Sequence, residues 1–164
     1  PHDAGVVTAS HDDENPKEVE SVAESGVDIA QYPITVETAK RAAELGMTTA
    51  MGAPNLVRGG SQWGNLSTAD GIDAVVVDAL LADYHPPSLL AGVFVDTGEP
   101  LHERVKRASA TPAEAVGFSE RGRIEADKRA DLIVVDPEPT PTVTAAVVAG
   151  RPVYRADATQ EGGR

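Results

Sequence analysis

Polar side chains stand directly after two strand-like segments of this sequence. His11 follows the β-branched run at residues 5–10, and Asp83 follows the apolar run at residues 79–82. In parallel α/β folds the carboxyl ends of the strands line the site, so we expect His11 and Asp83 to lie at one edge of a sheet. Imidazole and carboxylate groups are ligands of divalent metal ions. The pair therefore indicates a metal site.

A structural interpretation of the same segment stays open. A lone histidine is more often a hydrogen-bonded structural residue than a metal ligand. Asp12, Asp13 and Glu14 precede a helix that begins near Pro16, and a side-chain oxygen at that point can accept hydrogen bonds from the first turn. For Asp13 and Glu14 we favour helix capping over chemistry.

A glycine-rich loop carries the second candidate site. Arg58, Gly59, Gly60 and Ser61 lie within residues 52–65, which follow the third strand-like segment. A guanidinium can hold a phosphate through two parallel hydrogen bonds, and glycine lets backbone N–H groups approach an anion closely. The combination indicates a phosphate site, with a flexible surface loop as the alternative interpretation.

Strand-like and helix-like segments alternate over the first half of the chain, which predicts right-handed parallel βαβ units. Helical spacing of apolar residues continues to about residue 116. The predicted strands are 5–10, 27–32, 47–51 and 79–82; the predicted helices are 15–24, 36–45, one starting at 67–70, and 88–95, 101–108 and 112–116.

The residue pattern changes after residue 117: the helical spacing of apolar residues ends, and short β-branched runs predict a small antiparallel unit. Its predicted strands are 122–124, 131–136, 143–149 and 152–154, with a hairpin turn at residues 149–151. We therefore divide the chain into a partial barrel at 1–117, β-sandwich strands at 118–156, and a polar tail at 157–164 that we expect to be disordered.

Composition excludes several classes of protein. The 164 residues contain no cysteine, which rules out a disulfide scaffold and a thiolate metal site. No apolar run is long enough to cross a membrane, and no signal peptide is recognisable, so we expect a cytoplasmic protein. The net charge of −12 disfavours nucleic acid and anionic lipid as partners. With lysine scarce, we expect adaptation to high salt; an ordinary acidic bacterial protein is the alternative.

Several segments together resemble a known family. They are Ser-His-Asp-Asp at residues 10–13, Met-Gly-Ala-Pro-Asn-Leu-Val-Arg-Gly-Gly-Ser at 51–61, and Asp-Tyr at 83–84 followed by Pro-Ser-Leu-Leu at 87–90. In this order and spacing they resemble the diphosphatases of the carbon–phosphorus lyase pathway, which are amidohydrolases. Segments 111–115, 121–124 and 128–136 resemble the C-terminal signature of amidohydrolases in general. The resemblance covers nearly all of residues 5–155.

The resemblance implies an α/β fold: the C-terminal half of a (β/α)8 barrel, about four βα units, followed by short strands of a small β-sandwich. Counting back from Asp83 as the end of the last barrel strand, His11 falls on the fifth. The first four strands, with their His-x-His pair, would then lie outside this chain. We expect these residues to need the missing N-terminal half or a partner chain, and to show no turnover alone.

Site roles follow from the resemblance residue by residue. His11 matches a metal ligand, and Asp83 matches a metal ligand that also takes the proton from the attacking water. The cofactor would be a divalent metal ion, with Zn, Mn, Fe and Ni all compatible. The family hydrolyses a ribosyl methylphosphonate triphosphate to release diphosphate. The residues that would bind this phosphorylated small molecule are Asn55, Arg58, Gly59, Gly60 and Ser61.

The sequence departs from the family pattern at two places. Gln62 and Trp63 follow Ser61 where the family has a histidine, and Gln31 precedes Tyr32 where the family has a glutamate. Three hypotheses result: a hydrolase of the ribosyl phosphonate triphosphate, an amidohydrolase acting on a C–N bond such as a cyclic amide or N-acyl amino acid, and a truncated relic without catalytic function.

Overall fold

The computed structural model describes residues 5–156. Four parallel strands form one sheet in chain order, from β1 to β4. The strands are β1 (Ala9–His11), β2 (Ile29–Gln31), β3 (Thr48–Gly52) and β4 (Ala79–Leu81). The helices are α1 (Pro16–Glu24), α2 (Val36–Glu44), α3 (Ala53–Arg58), α4 (Thr68–Asp73), α5 (Pro87–Phe94), α6 (Leu101–Lys106) and α7 (Ala110–Ala115). The alternation of strands and helices predicted from the sequence is confirmed.

Side-chain caps define where the first two helices begin. The Asn15 side chain accepts hydrogen bonds from the backbone N–H groups of Lys17 and Glu18, and Pro16 occupies the first turn of α1. Thr35 caps α2 in the same way, through Thr38. The prediction that Asp13 caps α1 is wrong, because its carboxylate accepts the Ser10 hydroxyl at 2.6 Å instead.

Two apolar clusters hold the sheet to its helices. The first joins β3 and β4 to α3 and α4, and its buried members are Met51, Ala53, Leu56, Ile72, Val77 and Leu80. The second joins α1 and α2 to the other half of the sheet through Val19, Ala30, Ala42 and Met47. Small residues let these layers approach closely: a Cβ at Gly92 in α5 would meet the Ala53 Cβ at 3.3 Å.

Two sequence predictions need correction. Residues 52–65 are not one long loop, because α3 fills their first half. Its signals were Pro54 in the first turn and Gly59 at the end, where φ is 82°. Residues 122–124 are not a strand; they form a bend in which Gly122 packs against α7, with its Cβ position 2.8 Å from the Ala113 Cβ.

A separate antiparallel sheet ends the described chain. It contains β5 (Leu132–Asp136), β6 (Thr142–Val148) and β7 (Arg151–Arg155), with β6 in the centre. The helical part ends at Ala115 and this sheet begins at Leu132, so a domain boundary near residue 117 stays a prediction. The predicted tail at 157–164 lies outside the described residues. No helix within residues 5–156 is long and apolar enough to span a membrane.

Candidate functional site

The chain turns sharply after three of the four parallel strands. Asp12 follows β1, Tyr32 follows β2 and Asp83 follows β4, with φ angles of 60°, 56° and 51° respectively. Residues other than glycine rarely adopt this left-handed conformation, and it is concentrated at functional sites where surrounding contacts hold it in place. These three turns present their side chains at the same edge of the sheet.

One cavity of about 190 Å³ opens at this edge. It brings together His11 from the first strand and Asp83 from the fourth, as the sequence predicted. Asn55, Arg58 and Ser61, predicted to bind substrate, also line it, whereas Gly59 and Gly60 do not. Its remaining walls come from Asp12, Tyr32, Pro33, Met51, Pro54, Gln62, Trp63, Asn65, Leu66 and Tyr84.

Tyr32 lies between the two predicted metal ligands. Its ring centroid is 5.2 Å from that of His11, and its buried hydroxyl forms no hydrogen bond of ordinary geometry within the described residues. Burial raises the pKa of the Tyr32 hydroxyl, and the nearby Asp83 carboxylate raises it further. The hydroxyl therefore stays protonated, with the Asp83 carboxylate as a candidate acceptor.

The tight seat of Tyr32 depends on the last residue of β3. A Cβ built on Gly52 would lie 2.7 Å from the Tyr32 hydroxyl oxygen and 3.0 Å from its Cε1 atom. Contacts this short do not occur at real Cβ atoms, so only glycine leaves room for the ring. The strand end is thus shaped around an aromatic side chain to which the sequence analysis had assigned no role.

The metal donors in this cavity form an incomplete set. The Nδ1 atom of His11 lies 3.2 Å from an Asp12 carboxylate oxygen, and both side chains are largely exposed. Within residues 5–156, no group of three or more His, Cys, Asp or Glu side chains is placed to hold a metal ion. A catalytic zinc site takes about three protein ligands. The described residues alone therefore do not fit a complete metal site.

Arg58 is held across the cavity by neutral groups. Its Nε and Nη2 atoms donate to the Gly60 carbonyl at 3.2 and 2.8 Å, and Nη1 donates to the Tyr84 hydroxyl at 3.0 Å. Gln62 donates to the same hydroxyl at 3.3 Å. No carboxylate of the described residues pairs with Arg58, so its positive charge is available to an anion in a strongly acidic chain.

The glycine amides do not form the predicted anion nest. The N–H groups of Gly59 and Gly60 both donate to the Asn55 carbonyl at 3.1 Å, which closes the end of α3. The Asn55 side-chain oxygen accepts the Thr68 N–H at 3.0 Å. The Gly59 and Gly60 N–H groups are therefore already hydrogen-bonded within the chain.

Comparison with known proteins identifies relatives of the chain. No family model matches the chain. The alpha-D-ribose 1-methylphosphonate 5-triphosphate diphosphatase of Escherichia coli K12 is 37% identical over 134 residues, which cover 79% of this chain and 35% of the relative. The resemblance is confirmed. The chain spans about a third of the length of this diphosphatase, so what the whole relative does stays a proposal here.

Solved structures show the fold. An amidohydrolase matches with a TM-score of 0.60 and 19% identity, over 94% of this chain and 46% of that one. An adenosine deaminase from Xanthomonas campestris with bound zinc matches with a TM-score of 0.55 and 20% identity, over 89% of this chain and 45% of that one. The chain thus has the fold of about half of an amidohydrolase barrel, as its motifs predicted.

Two tyrosines of the cavity make contacts that the sequence pattern did not predict. Tyr84 belongs to the Asp-Tyr motif but was read only as part of the resemblance, although its hydroxyl joins Arg58 to Gln62. Tyr32 was noted only within a departure from the family pattern. In both cases the signal was a tyrosine within three residues of a strand end.

Proposed function

We propose that this chain carries part of the active site of a hydrolase that cleaves a phosphoanhydride bond and releases diphosphate. The observation that supports this proposal is the shared cavity: His11, Asp83 and Arg58 come from three separate segments and line one space. The substrate would be a ribosyl phosphonate triphosphate like that named for the E. coli relative. The whole enzyme would include residues beyond this chain.

In this proposal each cavity residue has a defined task. A water molecule attacks the phosphorus nearest the ribose, and the Asp83 carboxylate accepts its proton. The bond between that phosphorus and the diphosphate oxygen breaks, and negative charge builds up on the leaving diphosphate. Arg58 stabilises this charge, because its guanidinium has no competing carboxylate among the described residues. The Asn55 amide donates to a second phosphate oxygen.

A divalent metal ion belongs to the proposal, with His11 and Asp83 as two of its ligands. Zn, Mn, Fe and Ni all suit an imidazole–carboxylate pair. When bound, such an ion would lower the pKa of a coordinated water. Since the donor set of residues 5–156 is incomplete, we expect the 164-residue chain to bind zinc far more weakly than the full-length protein does.

The experiment is a diphosphate-release assay on the full-length protein with ribose 1-methylphosphonate 5-triphosphate as substrate. Asp83→Asn should abolish turnover without unfolding the protein, because the exposed carboxylate is replaced by an amide of the same shape. Asp73→Asn is the matched control, since Asp73 is also exposed but lies outside the cavity at the end of α4. An Asp83→Asn variant with normal kinetics would remove Asp83 from the mechanism.

Hydrolysis of a C–N bond is the second candidate. One observation favours it: the Gly59 and Gly60 N–H groups close α3 and do not line the cavity, so Arg58 lacks the glycine backbone donors that would accompany it at a phosphate site. Turnover of a cyclic amide or an N-acyl amino acid, together with no diphosphate release, would support this candidate over the first.

A further inference from the structure

An exposed tryptophan stands at the mouth of the cavity. Trp63 lines the cavity wall, yet 85% of its surface is accessible to solvent. It is the single tryptophan of the chain, in which aromatic residues make up only 4%. A single exposed apolar side chain is ordinary on a protein surface, and Val75 is equally exposed, so it is the place of Trp63 at the cavity, rather than its exposure alone, that suggests a ligand. Its position beside the charged wall of the cavity favours a ligand that carries a flat ring.

Polar groups next to Trp63 suit the rest of such a ligand. The neighbouring Gln62 donates through Nε2 to the Tyr84 hydroxyl at 3.3 Å, which leaves its side-chain oxygen as a free acceptor within the described residues. Arg58 donates to the same hydroxyl at 3.0 Å. A guanidinium for phosphate, an amide oxygen for an amino group and an indole face for a ring therefore occur side by side.

We propose that this cavity binds a nucleoside diphosphate or triphosphate, with its phosphates at Arg58 and its base stacked on Trp63 at the mouth. The cavity volume of about 190 Å³ takes the phosphate end, while the base lies outside against the exposed Trp63 ring. Base–indole stacking tolerates any base, and the Gln62 oxygen would add preference for a base with an exocyclic amino group.

The inference rests on the proposed function in one respect, because both need Arg58 to bind phosphate. It goes beyond the proposed function, because a nucleotide would be a further ligand of the same phosphate site and not the ribosyl phosphonate triphosphate proposed above as substrate. A ribosyl triphosphate without a base would leave the Trp63 ring uncovered.

The test uses isothermal titration calorimetry on the full-length protein with ADP, inorganic diphosphate and adenosine as separate probes. Stacking on one aromatic side chain typically raises affinity by about 5- to 150-fold. We expect ADP to bind more tightly than diphosphate by a factor in this range. Trp63→Ala should remove that difference and leave diphosphate affinity unchanged, and Trp63→Phe should restore part of it.

Tyr154→Ala is the control, since Tyr154 is a half-exposed aromatic residue on β7 and lies outside the cavity. Its ADP affinity should equal that of the wild type. ADP should also change the tryptophan fluorescence of the protein, diphosphate should change it far less, and Trp63→Phe should remove the change that ADP causes.

The outcomes separate this inference from the proposed function. If diphosphate binds and ADP binds no more tightly, the stacking site is refuted and the phosphate site stands. If adenosine binds and diphosphate does not, the stacking site stands and phosphate recognition by Arg58 is refuted. Equal losses of ADP and diphosphate affinity in Trp63→Ala would mean that Trp63 only shapes the loop. No binding of any probe would refute both.

Discussion

Replacing Gly52 with alanine should disturb the packing of the Tyr32 ring against the end of β3 and change little else. The added methyl group would lie 2.7 Å from the hydroxyl oxygen and 3.0 Å from Cε1, so the ring or the strand end must move. The backbone itself permits alanine, because φ is −75° and ψ is 124° at this position. The expected cost is therefore one of overpacking, about 1–3 kcal/mol of unfolding free energy.

Tyr32→Phe separates the two contacts. It removes the oxygen at 2.7 Å but keeps the Cε1 and Cζ atoms at 3.0 and 3.3 Å, so Gly52→Ala should cost less in this background than in the wild type. Such non-additivity is expected for residues in direct contact, with an interaction free energy of about 0.5–3 kcal/mol. Urea denaturation of the four proteins measures it.

Gly60→Ala is the matched control, because no atom lies within 4 Å of its Cβ position and its φ is not in the left-handed region. It should be neutral or stabilise the protein by up to about 1 kcal/mol. A Gly52→Ala variant as stable as Gly60→Ala, or additive costs in the double mutant, would show that Tyr32 is not packed against the end of β3 as described.

Three further results are expected. Arg107 holds the pKa of Glu99 below its usual value through hydrogen bonds to both carboxylate oxygens, at 2.6 and 2.8 Å. Glu99→Gln should therefore destabilise the protein at pH 7 by about 1–3 kcal/mol. The stability difference between wild type and variant should vanish as the pH falls through the lowered pKa of Glu99, because the carboxylate is then protonated. A constant difference down to pH 2 would contradict the ion pair. With a net charge of −12, the melting temperature should rise with KCl concentration, and a salt-independent value would remove the expected halophilic adaptation. Leu56→Ala, in the first apolar cluster, should cost about 2–5 kcal/mol in urea denaturation, and a cost below that of Gly52→Ala would mean α3 is not anchored there.

Local signals were sufficient for most of the secondary structure. Asn15 and Pro16 predict the start of α1, and Thr35 predicts the start of α2. These signals are readable in the sequence because a capping residue acts on its near neighbours in the chain. The helix α3 was missed because the glycines at its end favoured a loop, although Pro54 in its first turn and Gly59 at its end are helix signals. At residues 122–124, the β-branched and glycine composition suggested a strand, but strand formation needs a partner, and the chain there packs against α7 instead.

Motif spacing predicted which residues share the cavity but not the hydrogen bonds that each one makes. His11 and Asp83 were predicted to meet because the strands of a parallel sheet end at one edge, and the glycine-rich loop and the resemblance added Asn55, Arg58, Gly59, Gly60 and Ser61. All of these except Gly59 and Gly60 line the cavity. Whether an N–H group faces a ligand or closes a helix depends on the path of the backbone. That path assigns the Gly59 and Gly60 amides to the end of α3.

The order of residues along the chain was enough to determine the alternation of strands and helices, the resemblance to the diphosphatase and the excess of negative charge, since each is a property of neighbouring residues or of composition. Folding alone decided that Tyr32 is seated on Gly52 beside His11, and that Tyr84 joins Arg58 to Gln62. These contacts link segments about 20 or more residues apart, and no local propensity specifies them. They depend on the close packing of strand ends, where a single methyl group is enough to exclude a ring.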